Sequence, residues 1–365
     1  MSGIRWGYAI NQWKPQFDDF VRREQHERAF KTIAVAGFTG VELTSGTGRW
    51  EPLGNPGQLV ANFGSLKGFR TFLGDCALDG VSSWFLDPQP RSAEHLTGPY
   101  SLLEPADVPG IVERAREFAA ALAELGGSVL VVPAGPAAGD LPPGAGPAGD
   151  LPPGAGPAGD LPPGPAAGDL PPGAGPAGGG GLDDAGLDAL AACWEAVGTA
   201  TRAEGIHTAL HVDFLSALRT GDALDQLLRR TDPDLVGLAL DTGELTVAGL
   251  DPLAVVERHG DRIRHVQFKD ALDRDTDEEY RQEHAHWTVR VRGGAREVPR
   301  WFGEPGGDGG TVDFAALTRA LVAAGYSGWI VFESDQSPHP AASALLGGYL
   351  LQRDLRPLVS GKDRA

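Results

Sequence analysis

Cysteine is scarce in this chain of 365 residues, and long hydrophobic runs are absent. Its two cysteines, Cys76 and Cys193, lie far apart and form no Cys-x-x-Cys pair, which argues against a disulfide framework and a cysteine-ligated zinc site. No window approaches the roughly 18 uninterrupted apolar residues that a membrane helix needs. The N-terminus, MSGIRWGYAINQW, has no basic start followed by a long apolar stretch. We therefore expect no signal peptide, no membrane partner and a cytoplasmic protein with reduced thiols.

Positive charge is also in short supply. The chain has 31 lysines and arginines against 49 aspartates and glutamates, a net charge of −18. An acidic surface repels the phosphates of nucleic acids and anionic lipids, so neither is expected as a partner. A small polar molecule is a better candidate, and homo-oligomerisation is left open.

Short apolar runs alternate with longer stretches of helical periodicity, which is typical of strands followed by helices. The predicted strands are Arg5–Ile10, Gly40–Leu43, Gly80–Phe85, Ser128–Pro133, Thr208–Val212, Leu235–Leu240, Arg264–Phe268 and Trp329–Phe332. The predicted helices are Gln25–Ala36, Pro109–Leu125, Leu187–Glu204, Gly221–Arg230, Pro252–His259, Phe314–Ala324 and Ala341–Leu355. This pattern predicts one α/β domain over residues 1–365, a (β/α)8 TIM barrel with its active site at the C-terminal strand ends. An open doubly wound sheet is the alternative, but no Gly-x-Gly-x-x-Gly follows the first strand.

The segment Gly135–Gly181 interrupts the alternation. It contains only glycine, proline, alanine, aspartate and leucine, and GDLPP recurs at Gly139, Gly149, Gly159 and Gly168. Without aromatic or β-branched residues it cannot bury enough apolar area to offset its ordering entropy. We therefore predict a disordered low-complexity insertion over residues 135–181, after the fourth strand. A tolerated repeat expansion explains it more simply than a lid or partner-binding arm, because long surface loops add little closure entropy.

Four strand-like runs in the second half end on polar groups able to bind a metal. They are Ile206–Phe214, Leu235–Glu244, Ile263–Asp270 and Trp329–Asp335. A carboxylate or imidazole at the end of a buried strand is costly unless it is paired or binds a ligand. Because the strand ends meet on one face of a barrel, they predict one shared site with His211, Asp241, Gln267 and Glu333 as metal ligands. Imidazole with oxygen donors suits Mn²⁺ first, with Mg²⁺ or Co²⁺ as alternatives.

Each of these residues also has a purely structural explanation. His211 alone resembles a hydrogen-bonded core histidine, and Asp241 before Thr242 and Gly243 could cap a turn. Glu333 could be a solvated strand end. Their coincidence on one barrel face favours the site over these separate explanations.

Further polar residues flank the four positions. Lys269 is a candidate because lysine is scarce here, although an exposed lysine paired with Asp270 explains it equally well. By strand alternation, Asp213 shares a face with His211, and His265 shares a face with Gln267. For Trp13, packing against the core is the simpler alternative to stacking on the ring of a substrate. The candidate substrate contacts are Glu42, Asp213, Glu244, His265 and Trp13.

A glycine-rich stretch, WFGEPGGDGGTV at Trp301–Val312, follows the seventh strand. In phosphate-binding barrels, backbone N–H groups of this region hold the phosphate. Two acids, Glu304 and Asp308, lie within the stretch. We therefore expect a neutral substrate rather than a phosphorylated one.

The stretch LVGLALDTGELTVAGLDPLAVVERHGDRIRHVQFKD, with HVDF before it and GYSGWIVFESD after it, resembles the sugar phosphate isomerase/epimerase superfamily of xylose-isomerase-like TIM barrels. The resemblance is strongest over Leu187–Asp335. It implies a TIM barrel whose metal ligands lie at the ends of the later strands, at His211, Asp241, Gln267 and Glu333. The superfamily includes ketose 3-epimerases, inosose dehydratases and, more remotely, endonuclease IV.

Two positions depart from the family pattern. The family has His-x-His at the seventh strand, where this chain has His265-Val266-Gln267, which implies an oxygen-preferring metal site. It has Asp-Thr-x-His at the sixth strand, where this chain ends the motif with Glu244. Both changes, with the net charge of −18, argue against an endonuclease that needs a histidine cluster for its zinc ions. Histidine rather than glutamate at the fifth strand points towards the inosose dehydratase branch.

These residues and the resemblance predict a divalent-metal-dependent isomerase or epimerase for a sugar or cyclitol. It would remove the proton next to a carbonyl, through an enediolate. Glu333 is the predicted base, His211 a ligand or proton donor, and Lys269 or Glu244 the group for the second transfer. An inosose-dehydratase-like lyase is the first alternative. A non-catalytic metabolite-binding or accessory barrel is the second, because a decayed metal site would also lack the seventh-strand histidine.

Overall fold

The structure, a computed structural model, describes residues 3–13, 23–45, 54–87, 100–141, 181–282, 285–291, 293–297 and 300–360. Within these ranges the strands form one continuous sheet. The strands are β1 (Arg5–Ala9), β2 (Gly40–Ser45), β3 (Gly80–Leu86), β4 (Val129–Pro133), β5 (His207–His211), β6 (Val236–Asp241), β7 (Ile263–Ala271), β8 (Phe302–Gly303) and β9 (Trp329–Glu333). Every predicted strand is present and begins within one residue of its predicted start.

The long strands run parallel and close into a barrel. β1 pairs with β2 on one side and β9 on the other, and β7 pairs with both β6 and β9. The two-residue strand β8 lies antiparallel to the end of β7. Apolar runs such as VLVVP in β4 suit strands that are covered on both faces. The predicted (β/α)8 TIM barrel is confirmed, with β9 as its eighth barrel strand.

Helices surround the barrel, and the main apolar core lies between them and the sheet. The α-helices are α1 (Arg23–Ala36), α2 (Pro56–Phe63), α3 (Leu66–Asp75), α4 (Val108–Leu125), α5 (Asp184–Ala203), α6 (Gly221–Arg230), α7 (Thr242–Val247), α8 (Pro252–His259), α9 (Phe314–Ala323), α10 (Pro340–Leu350) and α11 (Arg356–Ser360). The seven predicted helices are all present. Polar side chains cap the N-termini of two of them: Asp183 caps α5 and Thr220 caps α6.

Four α-helices were not predicted: α2, α3, α7 and α11. The helix α7 was not predicted because its six residues, TGELTV, follow β6 directly, and so short a segment shows no helical periodicity. The predicted helix Ala341–Leu355 is α-helical only to Leu350 and continues as a π-helix over Leu351–Leu355. Short 3₁₀ helices span Ala138–Asp140, Gly260–Arg262 and Glu279–Arg281, and a second π-helix spans His286–Val291.

The predicted insertion lies between β4 and α5, as expected. Of the predicted disordered segment, residues 142–180 lie outside the described residues. The N–H of Ala138 donates to the carbonyl of Leu215, and the N–H of Ala217 donates to the carbonyl of Pro136. The prediction of disorder is therefore wrong for residues 135–141. Their backbone pairs with the loop after β5, an interaction that does not need large apolar side chains.

Alanine in place of two helical glycines, Gly348 in α10 and Gly74 in α3, should change the stability of the protein in opposite directions. A Cβ at Gly348 would lie 2.2 Å from the carbonyl oxygen of Ala36, whereas a Cβ at Gly74 would have nothing within 4 Å. We expect Gly348→Ala to lower the free energy of unfolding by about 1–3 kcal/mol through overpacking. We expect Gly74→Ala to raise it by about 0.4–1 kcal/mol through reduced chain entropy. Urea denaturation measures both, and equal effects would contradict the proposed contact.

Candidate active site

Negative charge outweighs positive charge at the C-terminal mouth of the barrel. Six carboxylates from the ends of β2, β5, β6 and β9 form one connected network, with Lys269 and Arg290 as its two permanently charged cations. The carboxylates are Glu42, Asp213, Asp241, Glu244, Glu333 and Asp335. All except Asp213 are buried. An uncompensated buried charge costs several kcal/mol, so protonation or a bound cation must offset this excess.

Glu333, at the end of β9, lies at the centre of this network. The Nδ2 of Asn11 donates to its Oε1 at 3.0 Å, and the Nε2 of Gln267 donates to its Oε2 at 3.1 Å. The carbonyl oxygens of these two amides are buried and have no hydrogen-bond partner among the described residues. A buried acceptor without a partner costs roughly 1–3 kcal/mol. The structure thus holds both oxygens of Glu333 and leaves two acceptors unsatisfied beside it.

Three buried carboxylates of the site differ in how readily they take up a proton. Burial raises the pKa of Glu333 to about 7; the charge of Lys269 opposes this shift, and Asp241 adds to it. Burial also acts on Glu244, but Arg290 and Lys269 outweigh it and lower its pKa to about 2. For Glu42, the charge and hydrogen bond of His265 outweigh burial and lower the pKa. Glu333 is therefore the one of these three suited to exchange protons near neutral pH.

Lys269, in the second half of β7, is fully enclosed. Its Nζ faces four carboxylates: Glu244 at 2.7 Å, Glu333 at 3.3 Å, Asp335 at 3.5 Å and Asp241 at 3.8 Å. Burial opposes its charge, but Glu244 and Glu333 outweigh burial and raise the pKa of Lys269 well above its usual value. The alternative of an exposed lysine paired with Asp270 is wrong, because Lys269 is 1% exposed and faces into the barrel.

The sequence Asp-Thr-Gly-Glu fits the sharp turn from β6 into α7. The side chain of Asp241 caps α7 by accepting the N–H of Glu244 at 2.9 Å. Thr242 Oγ1 donates to the carbonyl of Lys269 at 2.7 Å, which ties the turn to β7. A Cβ at Gly243 would lie 2.7 Å from Cγ of Lys269, so glycine leaves room for that side chain. The motif therefore places Asp241 and Glu244 on the lysine.

His211, Asp241 and Glu244 form a buried group that could hold a metal ion, since each offers a ligand atom within 4.8 Å of the others. His211 Nε2 lies 3.3 Å from Asp241 Oδ2, and its Nδ1 has no partner among the described residues. Burial disfavours the charged imidazole, but the hydrogen bond and charge of Asp241 raise the pKa of His211. The four predicted ligands thus meet as two pairs, His211 with Asp241 and Gln267 with Glu333.

Arg290, on the π-helix His286–Val291, was not identified from the sequence. Its guanidinium crosses the mouth and donates to Asp213 at 2.7 Å, Glu244 at 2.6 Å and Asp335 at 2.9 Å. Burial opposes its charge, but Asp213 and Glu244 outweigh burial and raise the pKa of Arg290 further. No local signal marks this residue, because its partners come from three other segments of the chain.

Two predicted substrate contacts, Glu42 and His265, pair with each other in the barrel interior. His265 Nε2 lies 2.7 Å from Glu42 Oε2, and Ser83 Oγ donates to the same oxygen at 2.7 Å. The other oxygen, Oε1, accepts the Nε2 of Gln267 at 2.7 Å. Both residues are 1% exposed. This arrangement supports Gln267 from within the barrel, and a direct role of Glu42 or His265 in substrate binding stays a prediction.

Trp13, the remaining predicted substrate contact, is half-buried and packs against the main core. Its N–H donates to the carbonyl of Ile10 at 3.1 Å, which closes a turn after β1. Its indole N–H has no partner among the described residues. The position keeps Trp13 beside Asn11, and its contact with a substrate stays a prediction.

The backbone of the glycine-rich stretch Trp301–Val312 binds the side-chain carboxyl group of Asp270. Its first part forms β8, and Asp270 Oδ1 then accepts the N–H groups of Thr311 at 3.0 Å and Val312 at 3.2 Å. A Cβ at Gly310 would lie 1.9 Å from Asp270 Oδ2, so only glycine permits this approach. Burial raises the pKa of Asp270 to about 6 against these hydrogen bonds. The resident carboxylate occupies the N–H groups that a phosphate would otherwise use.

The residues present fit a divalent metal ion. The mouth has an excess of buried carboxylates, an imidazole beside Asp241, and the unpartnered Oε1 of Gln267. Mn²⁺, Mg²⁺ and Co²⁺ accept such sets of imidazole, carboxylate and carbonyl donors.

The chain belongs to the xylose isomerase-like TIM barrel family, whose pattern it matches over residues 30–347. It is 36% identical over 152 residues to an inosose dehydratase of Lacticaseibacillus casei, a match covering 42% of this chain and 48% of that protein. It is also 36% identical over 135 residues to an inosose dehydratase of Geobacillus thermodenitrificans, covering 37% and 42% of the two chains. The aligned part spans about half the length of these relatives.

Solved structures share the fold at low sequence identity. A sugar phosphate isomerase/epimerase of Parabacteroides distasonis superposes with a TM-score of 0.59 at 16% identity, covering 98% of this chain and 96% of that one. A probable 3-DHS dehydratase of Bacillus anthracis gives 0.62 at 12% identity, covering 95% and 98%. These likenesses support the barrel and no more. Within the described ranges, no helix has the length and apolar character needed to span a membrane.

The burial of Asp270 predicts a pH-dependent difference between the protein and Asp270→Asn. The folded pKa of about 6 lies above the usual 3.8, so the folded state binds the proton more tightly and loses stability as the pH rises through 6. Relative to Asp270→Asn, we expect the wild type to lose up to about 3 kcal/mol of unfolding free energy between about pH 4 and about pH 7. Urea denaturation at several pH values measures this. Asp308→Asn, an exposed change in the same stretch, is the control, and parallel curves for all three proteins would contradict the assignment.

Proposed function

We propose that the protein is a divalent-metal-dependent lyase that removes water from a neutral keto-cyclitol or keto-sugar. The observation that carries the proposal is the pairing of one base with one cation: Glu333, with a pKa of about 7, lies 3.3 Å from the ammonium of Lys269. The alignment with inosose dehydratases favours dehydration over the isomerase or epimerase outcome expected first.

Glu333 is the base that takes the proton from the carbon next to the carbonyl. Two amides hold its carboxylate from both sides, so it stays in position during the transfer. Glu333 then gives this proton to the departing hydroxyl, which leaves as water, and the carboxylate returns to its starting state. The ammonium of Lys269, 3.3 Å away, stays charged and stabilises the carboxylate when it is deprotonated.

His211, Asp241, Gln267 and Glu333 would hold the metal ion, and Glu244 lies close enough to His211 and Asp241 to join them. When bound, such an ion polarises the substrate carbonyl and stabilises negative charge on its oxygen. Mn²⁺ suits this set first, with Mg²⁺ and Co²⁺ as alternatives.

A neutral substrate follows from the charges around the site. Arg290 is paired with three carboxylates, and Asp270 occupies the N–H groups of the glycine-rich stretch. No cation among the described residues of the mouth is left to pair with a phosphate or carboxylate of a substrate. A cytoplasmic location and homo-oligomerisation stay predictions from the sequence.

An isomerase or epimerase is the second candidate. It is favoured by His211, a second proton-carrying group whose pKa is raised against the effect of burial, mainly by Asp241. His211 lies at the end of β5 and Glu333 at the end of β9, two strands that are not neighbours in the sheet. Two such groups could act on different sides of one carbon.

The metal site predicts that Mn²⁺ binds more weakly as the pH falls. Glu333 must lose its proton to bind a cation, and its pKa is about 7. Below pH 7 we expect the apparent Kd for Mn²⁺ to rise by at least about tenfold per pH unit, because Glu333 and the imidazole of His211, whose pKa is raised, must both lose a proton. Titration calorimetry of the EDTA-treated protein measures this, and Glu333→Gln should reduce the slope to the part that comes from His211. A wild-type Kd that is constant across this range would contradict the role of Glu333.

Loss of the base predicts loss of proton exchange. We expect Glu333→Gln to slow exchange of the C–H proton next to the carbonyl of inosose or a keto-hexose by at least about a hundredfold in D₂O, followed by NMR. Glu204→Gln, an exposed change at the end of α5, is the control. Mass spectrometry of the product separates the two candidates, because dehydration gives a product lighter by one water and epimerisation leaves the mass unchanged. Unchanged exchange in Glu333→Gln would refute the proposed base.

A further inference from the structure

Two amides donate to the Glu333 carboxylate, one to each oxygen, and they come from distant parts of the sequence. Asn11 follows β1 and donates its Nδ2 to Oε1 at 3.0 Å. Gln267 lies in β7 and donates its Nε2 to Oε2 at 3.1 Å. Each amide uses its nitrogen on the carboxylate, so each carbonyl oxygen is free to accept a hydrogen bond. Neither carbonyl oxygen has a partner within the described part of the chain.

The two free oxygens lie in different surroundings. Gln267 pairs in register with Asp241, is 1% exposed and contacts Glu333, so its side chain lies beside two of the candidate metal ligands. Asn11 is half-buried on the loop after β1, beside the neighbouring strand β9, and has no contact with His211 or Asp241 among the recorded hydrogen bonds of the described residues. Its Oδ1 is buried and unpartnered beside the carboxylate of Glu333, so a molecule that reaches the base also reaches this acceptor.

The loop that carries Asn11 is fixed at three points. The N–H of Ile10 donates to the carbonyl of Glu42 at 3.3 Å, and the N–H of Trp13 donates to the carbonyl of Ile10 at 3.1 Å. Gln12 Nε2 donates to Asp335 Oδ1 at 3.3 Å. A loop held in this way presents its side chains in one orientation, which a binding residue needs.

We infer that Asn11 is a substrate-binding and positioning residue, and this inference rests on the proposed function. Its Oδ1 accepts a hydrogen bond from a hydroxyl of a polyhydroxylated ketone, and its Nδ2 holds Glu333 against the carbon that loses its proton. A hydroxyl group is the donor that matches a neutral acceptor in a site whose described cations, Lys269 and Arg290, are all paired with carboxylates. The same side chain thereby sets the distance between one hydroxyl of the substrate and the base.

Binding measurements test the acceptor role. The Kd values of inosose and of a panel of keto-hexoses are measured by calorimetry with the Mn²⁺-loaded wild type, Asn11→Ala and, as the control, Glu204→Gln, an exposed change at the end of α5. We expect Asn11→Ala to raise the Kd of the ligand that binds by about tenfold, the effect of one lost hydrogen bond, and Glu204→Gln to change it by less than about threefold. For one analogue with a single hydroxyl replaced by hydrogen, the wild type and Asn11→Ala should bind equally.

Asn11→Asp tests the positioning role, because it keeps an acceptor oxygen and puts a carboxylate in place of the donor to Glu333. The added charge also raises the pKa of Glu333, so the exchange rates in D₂O at saturating ligand are compared on the plateau above that pKa. We expect the Kd to stay within about threefold of the wild type and this plateau rate to fall at least about tenfold. It also serves as the second variant if Asn11→Ala does not fold.

The outcomes distinguish this inference from the proposed function. If the wild type binds a ligand and Asn11→Ala binds it equally well, or loses affinity equally for every deoxy analogue, the inference on Asn11 is overturned and the proposed function stands. If the wild type binds none of these ketones, both are overturned. A normal exchange rate in Asn11→Asp overturns the positioning role.

Discussion

The excess of buried negative charge at the mouth of the barrel is the constraint on which the site depends. Six carboxylates share two permanent cations, and five of the six are buried. Lys269 and Arg290 stay protonated because of this negative charge, since the carboxylates raise the pKa of each against the effect of burial. The same excess, with burial, raises the pKa of Glu333 to about 7. Charge balance thus links the retained cations, the raised pKa of Glu333 and the capacity for a divalent ion.

Glu244 illustrates how one substitution reorganises such a site. In place of the histidine that the family carries in its Asp-Thr-x-His motif, this chain has an acid that contacts Lys269 at 2.7 Å and Arg290 at 2.6 Å. Its Oε2 also accepts the N–H of Phe214 at 2.9 Å, so it connects the ends of β5, β6 and β7. The change therefore replaces a neutral donor by a residue that fixes two cations. Loss of the family histidine is thus compensated by new partners, which argues against a decayed site.

Gln267 has a similar explanation. Its nitrogen donates to both Glu42 and Glu333, so the orientation of the amide follows from two carboxylates that flank it. A histidine ring at this position could not donate to both from one nitrogen. The amide leaves its carbonyl oxygen as the free atom, which is the kind of donor that Mn²⁺ and Mg²⁺ accept. The departure from the family pattern thus gives the barrel an amide that is held by two carboxylates and keeps one oxygen unpartnered.

The sequence by itself determined the barrel. The alternation of buried strands and amphipathic helices is a local pattern, and it can be recognised without knowing which distant residues are in contact. It also placed Asp241, Glu333, His211 and Lys269 at strand ends on one face. Only the tertiary structure decided which groups touch. It identified Arg290 and Asn11, paired Glu42 with His265, and showed that Lys269 is enclosed by acids and does not pair with Asp270. These contacts join residues from separate strands and loops, and their energies depend on burial and distance, which no local pattern of residues encodes.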